Sequence, residues 1–226
     1  MKARLISYSQ SPTMNIGDLY VPEGIHELVA YCARVSNPSN QESSATTEKL
    51  LSYLAREKHW SPFEMVSACL EIETTRDIAR QILRHRSFSF QEFSQRYADP
   101  KDQGDMFEYS EARLQDPKNR QNSVAVENVE LHHQWIDAQE EVAALAKQKY
   151  DWAIKNGIAK EQARKVLPEG LTKSRMYVNG TLRSWIHFID LRSSNGTQKE
   201  HREIARACAE IISKIYPNIM EYSHDD

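Results

Sequence analysis

The chain is predicted to be α+β, with a small, mostly antiparallel sheet flanked by helices, one long helix, and a single domain over residues 1–226. Three observations predict this. Residues 65–73 alternate with period two: Val66, Ala68, Leu70 and Ile72 fall on one face, Ser67, Cys69, Glu71 and Glu73 on the other. Residues from about 123 to 156 contain neither proline nor glycine and repeat apolar positions at helical spacing. Strand and helix patterns do not alternate regularly, so a parallel βαβ sheet is not expected.

The elements follow in order. Residues 2–8 read as an opening strand, and Gly17, Pro22 and Gly24 punctuate the connection after it. Residues 25–35 have helical spacing, broken by Asn37-Pro38-Ser39-Asn40. Residues 47–58 form a second helix with Leu50, Leu51 and Leu54 inward. After the alternating strand, Thr74 or Thr75 can cap a helix that runs to about His85, with Asp77 in its first turn. Residues 99–122 are polar and turn-rich, a long loop or a small β excursion.

The proline-free stretch is one long helix or two in tandem, with Val129, Trp135, Ile136, Val142, Ala143, Ala146, Tyr150 and Ala153 as its apolar positions. Thirty helical residues span ~45 Å, which outruns a core of this size and points to a subunit interface. Residues 171–178 read as a strand and 182–191 as a helix. Thr197-Gln198-Lys199-Glu200 is a capping box opening a last helix that buries Ile204, Ala205, Cys208, Ile211, Ile212 and Ile215.

Composition narrows the function. With 29 basic and 32 acidic residues the net charge is −3, so a general positive field for nucleic acid is absent and any anion site is local. No apolar run approaches the ~20 residues that span a bilayer. The 3 cysteines, Cys32, Cys69 and Cys208, lie far apart among apolar neighbours. They read as buried, reduced thiols of a cytoplasmic protein.

The chemistry concentrates in residues 84–96, Arg84-His85-Arg86-Ser87-Phe88-Ser89-Phe90-Gln91-Glu92-Phe93-Ser94-Gln95-Arg96. Guanidinium groups offer paired donors and keep their charge, which suits a ligand bearing several phosphates. Arg76, Arg80 and Arg84 share a helix face, and Arg76 and Arg80 read first as solvated. A cationic helix end running into an aromatic segment makes a wall charged at one end and apolar at the other, as a dinucleotide requires. In extended backbone Glu92, Ser94 and Arg96 would project to one side.

That segment matches the RHR-x7-S signature, and the chain resembles the flavin-dependent thymidylate synthases. Other segments fit in the family's order, from about residue 36 to 200. His59-Trp60-Ser61-Pro62-Phe63-Glu64 resembles the HxSPFEH element, with Met65 in place of its last histidine. Ser61 as N-cap, Pro62 and Glu64 would also make a capping box. Arg164-Lys165-Val166-Leu167-Pro168 resembles R-x-VLP. Asn179-Gly180-Thr181-Leu182-Arg183-Ser184, with Phe188 and Leu191-Arg192, resembles the third signature, with Thr181 where many members have asparagine and Gly196 where some have histidine.

The resemblance implies conversion of dUMP to dTMP, with methylenetetrahydrofolate supplying carbon and NADPH-reduced FAD supplying hydride. It implies that Ser61, Arg84, His85, Arg86, Glu92, Thr181, Arg183 and His187 hold FAD, with His59 and Trp60 able to stack on a ring. Gln81, Arg84, Glu92, Phe93, Ser94, Gln95, Arg96, Arg164 and Arg192 would hold dUMP, in a homotetramer with shared sites. Arg192 is the expected catalytic group, polarising the uracil, and Ser94 is expected to bind phosphate. No metal, nucleic acid or membrane is expected. Two other readings stay open: a nucleic-acid cleft with Phe88, Phe90 and Phe93 as stacking platforms, and a phosphohydrolase with Glu92, His132 and His133 on a metal.

Overall fold

The computed structural model describes residues 1–12 and 20–222. Gly17 lies outside them, while Gly24 opens the first helix in the left-handed region, at φ +86°. The order is β1 (Lys2–Tyr8), α1 (Gly24–Ala33), α2 (Thr47–Arg56), β2 (Ser67–Thr75), α3 (Arg76–Ile82) and β3 (Phe88–Glu92), then β4 (Arg113–Gln115) and β5 (Ser123–Ala125). It continues with α4 (Val129–Lys155), α5 (Lys160–Ala163), β6 (Lys173–Thr181), α6 (Leu182–Arg192) and α7 (Lys199–Ile212).

The main sheet is antiparallel throughout, in the order β1-β2-β6-β3, and β4-β5 form a separate hairpin. The period-two reading of β2 holds: Val66, Ala68, Leu70 and Ile72 are all buried against the helices. Glu71 on the other face is buried too, and Arg4 pairs with it at 3.0 Å. The core joins this sheet face to α1, α3, α6 and α7, with Trp185, Phe188, Ile78 and Ile204 at its centre. The Trp185 indole N–H donates to the Ala68 carbonyl at 3.0 Å and ties α6 to β2.

Several local expectations are corrected. The polar stretch does hold a small β excursion, but its second strand takes residues 123–125 from the long helix. That helix is continuous over 27 residues, opened by the Asn128 side chain accepting from the Leu131 N–H at 3.1 Å. Its inward face is narrow, made of Gln139, Ala143, Ala146, Tyr150 and Ala153. Of the apolar positions read from the sequence, Val129, Trp135 and Val142 are exposed, as are Leu145 and Trp152.

The two proposed capping boxes do not form. Glu64 reaches across to Arg183 instead of back to Ser61, and the Thr197 hydroxyl donates to the Leu191 carbonyl at 3.4 Å. β6 runs through Asn179 and Gly180 to Thr181, three residues beyond the expected end. Of the cysteines only Cys208 is fully buried; Cys32 and Cys69 are partly exposed.

Candidate active site

The end of α3, the end of α6 and the start of α7 converge on one place. The last turn of α3 closes through the His85 N–H donating to the Ile82 carbonyl at 3.0 Å, and the chain then enters β3 at Phe88. Phe88 is pinned opposite Gly180, its register partner in β6. Thr181 caps α6 by accepting from the Ser184 N–H at 3.3 Å, and α6 carries Arg192 back toward His85.

Arg192 Nε–H donates to His85 Nε2 at 2.9 Å, so the imidazole is neutral with its proton on Nδ1. Burial pushes His85 down to about 4, helped by the positive charges of Arg192 and Arg84. Arg192 is itself lowered, first by burial and then by Arg84. Among the described residues Arg84, Arg86 and Arg192 form no ion pair. Arg84 and Arg192 are like charges set near each other without a carboxylate, an arrangement that an anionic ligand stabilises.

A second group centres on Glu92. Ser174 Oγ donates to it at 2.8 Å, and Arg76 and Arg80 each pair with it at 3.5 Å. Arg80 also meets Glu169 at 3.0 Å. Arg76 is not a solvated cation: its side chain is 11% exposed. Arg164 lies close enough for its charge to lower Arg76 further, after burial and Arg80.

Beyond Glu92 the strand stops, so Ser94 and Arg96 do not alternate along it. Phe93 N–H donates to the Arg175 carbonyl at 2.9 Å, and a turn follows in which Tyr97 N–H donates to the Ser94 carbonyl at 3.1 Å. Ser94 Oγ accepts from the Arg96 N–H at 3.4 Å, and Arg96 pairs with Glu161 at 3.4 Å. Gln95 is buried, and its Nε2 finds no partner among the described residues.

A third group lies at the other end of α6. His187 stands edge-on to Trp60, ring centres 4.9 Å apart, and burial followed by the Arg183 charge lowers it. Arg183 pairs with Glu64, and Ser61 is exposed beside them.

Sequence reasoning named Gln81 but missed the buried histidine behind it. His201, fully buried on α7, sets Nδ1 3.2 Å from Gln81 Oε1. Gln81 Nε2 donates to Gln198 Oε1 at 2.7 Å. A histidine on the apolar stripe of the last helix was the available signal. The other two readings lose ground. Phe88 is buried in the core and Phe90 packs against it, so neither is a free platform. Glu92 is held by two arginines, and His132 Nδ1 accepts from the Ala112 N–H at 3.3 Å.

Comparison with known proteins agrees with this geometry. Residues 20–218 match the family model described as thymidylate synthase complementing protein. A flavin-dependent thymidylate synthase of Synechocystis sp. is 49% identical over 219 residues, covering 97% of each chain. A probable flavin-dependent thymidylate synthase of Paramecium bursaria Chlorella virus 1 is 47% identical over 222 residues, also covering 97% of each. The crystal structure of the UMP/dUMP methylase PolB of Streptomyces cacaoi, bound with 5-Br dUMP, superposes with a TM-score of 0.77 at 25% identity, covering 98% of this chain and 93% of that one. With the RHR segment, the Arg192 pair and the α+β sheet in place, the chain belongs to the flavin-dependent thymidylate synthase family.

Proposed function

We propose that the protein converts dUMP to dTMP, taking its carbon from methylenetetrahydrofolate and its reducing equivalents from NADPH, with FAD as the bound redox group. The observation that carries this reading is the approach of Arg84 to Arg192, with His85 between them and no carboxylate partner for either among the described residues, in a chain of this family. The donor set fits a dinucleotide: Arg84, His85 and Arg86 suit a pyrophosphate, and Ser61, Glu92, Thr181, Arg183 and His187 complete the expected cofactor contacts. When bound, the flavin supplies the hydride.

The remaining chemistry is the protein's. His85 holds the Nε–H of Arg192, leaving both terminal nitrogens of the guanidinium to a ligand. Set beside the uracil N3/O4 edge, that group stabilises negative charge there and drives electron density to C5, where the carbon attaches. Removing such a donor typically costs ~3 kcal/mol of transition-state stabilisation. Gln81, Phe93, Ser94, Gln95, Arg96 and Arg164 complete the nucleotide site. Glu92 has its carboxylate turned to Arg76 and Arg80 and orients those arginines as well as a ribose.

The three groups lie at separate ends of α6 and β3, and α4 leaves Val129, Trp135, Val142, Leu145 and Trp152 exposed. Both features support a homotetramer whose subunits share sites. Unpaired cysteines support a reducing, cytoplasmic setting. The test is direct: purified protein, or protein incubated with FAD and desalted, should absorb as bound flavin and form dTMP from dUMP, methylenetetrahydrofolate and NADPH. Protein that stays colourless after reconstitution overturns the proposal.

A further inference from the structure

His201 lies at the end of a polar chain whose direction is set by a charge outside the core. Glu200 is a carboxylate paired with Arg113 and has no proton to give. Gln198 must therefore turn Nε2 toward it, at 3.1 Å, and present Oε1 to Gln81. Gln81 must answer with Nε2, at 2.7 Å, which turns its Oε1 toward His201 Nδ1 at 3.2 Å. An amide oxygen only accepts, so His201 carries its proton on Nδ1. Its Nε2 is left as a buried acceptor without a partner among the described residues.

We infer that His201 is a positioning residue for the nucleotide site: through the Glu200–Gln198–Gln81 relay it locks the Gln81 carboxamide in the one orientation that offers a donor to bound dUMP. Gln81 Nε2 has two hydrogens and gives one to Gln198, so the other is fixed as a donor to a nucleotide oxygen. Reversing that amide would present an acceptor to an acceptor, a repulsive contact. The His201 ring also stands against His85 (centres 6.2 Å apart) and Phe188 (5.7 Å), so the same side chain backs the imidazole that holds Arg192. The rival reading makes His201 a core ring that only packs.

This inference rests on dUMP binding at the Arg192 cluster. Titration of dUMP into flavin-loaded protein by calorimetry, with KM and kcat for dTMP formation, tests both. His201→Leu and the surface variant Gln198→Leu should each weaken dUMP binding roughly 2- to 10-fold, the range of one neutral hydrogen bond, and raise KM more than they lower kcat. His201→Asn places an N–H where Nδ1 stood and should restore most of the loss. His201→Gln, whose amide sits at the Nε2 position, should not.

Wild-type binding with unchanged affinity in His201→Leu and Gln198→Leu overturns the inference alone. So does an asparagine variant no better than leucine, which would leave packing as the role. If His201→Leu does not fold, Gln198→Leu decides by the same affinity. Wild-type protein that binds no dUMP removes the proposed function, and this inference with it.

Discussion

Gly180→Ala should destabilise the protein although it adds a single methyl group. Gly180 lies in β6 directly opposite Phe88 in β3. A Cβ there would sit 2.3 Å from Phe88 Cδ1, 2.5 Å from Cε1 and 3.2 Å from Ser184 Cβ. Carbon atoms pack at about 3.5–4.0 Å, so the ring would have to retreat by more than ~1 Å. It has nowhere to go: Trp185 is 4.7 Å from it centre to centre, Phe188 5.9 Å, Phe90 6.1 Å and His85 6.4 Å.

Overpacking of this kind costs ~1–3 kcal/mol. Expelling the ring instead would forfeit ~1.5–3 kcal/mol of burial. The gain from replacing a strand glycine returns at most ~1 kcal/mol. A net loss of ~1–2 kcal/mol corresponds to a Tm lower by roughly 2–8 °C for a chain of this size. Thermal unfolding at fixed protein concentration, followed by circular dichroism, measures it. The second variant Phe88→Leu should recover part of the loss in the Gly180→Ala background, because the two changes share one contact. A Tm for Gly180→Ala within about 1 °C of the parent, or no recovery in the double variant, refutes the reasoning about the slot.

Arg192→Ala should abolish nearly all dTMP formation while NADPH oxidation by the flavin largely persists; equal loss of both would deny it the polarising role. Ser94→Ala should weaken dUMP by the ~1.5–3 kcal/mol of one charge-assisted hydrogen bond yet keep turnover at saturating dUMP; no turnover with dUMP bound would make Ser94 the nucleophile. His85 and His201 are held neutral in the fold, pushed down from 6.5 to about 4 and about 3 mainly by burial. Their contribution is fully present above pH 6.5 and is lost as pH falls toward those values, by up to ~1.4 kcal/mol per pH unit for the buried His201 and by less for His85, whose charge solvent partly screens. Urea unfolding should therefore show the stability gap between the parent and His201→Leu narrowing from pH 7 to pH 5. Sedimentation velocity should give a tetramer, and an active monomer would contradict shared sites.

What was legible in the sequence was local or periodic. β2 showed itself because one face packs on helices and the period of two survives even where Glu71 is buried. The RHR cluster was legible because its charges are neighbours in the chain. Ser94 and Arg96 were misplaced because alternation says nothing about where a strand ends, and here the turn after Phe93 ends it. Thr197 and Ser61 looked like caps because the pattern ignores competitors, here the Leu191 carbonyl and Arg183. Phe88 looked like an exposed platform because the slot that buries it is cut by Gly180, far away in sequence. The relay was hidden for the same reason: Gln81 and Gln198 are 117 residues apart.

The distribution of acidic partners sorts the site arginines by what binding costs them. Arg96 and Arg183 are half-exposed and already paired, with Glu161 and Glu64. Exposed pairs of this kind are worth ~0–1 kcal/mol, so in the proposed site a phosphate would replace the carboxylate at little expense but with a correspondingly small gain. Arg76 and Arg80 are committed to Glu92, and Arg76 is buried, so their charge shapes the site more than it binds ligand. Arg84, Arg86 and Arg192 give up no carboxylate partner among the described residues. Burial and then the Arg84 charge lower Arg192, and an incoming anion would relieve the second. If the proposed site is right, in a chain of net charge −3 the attraction for a nucleotide would come from where acids are withheld, not from an excess of bases.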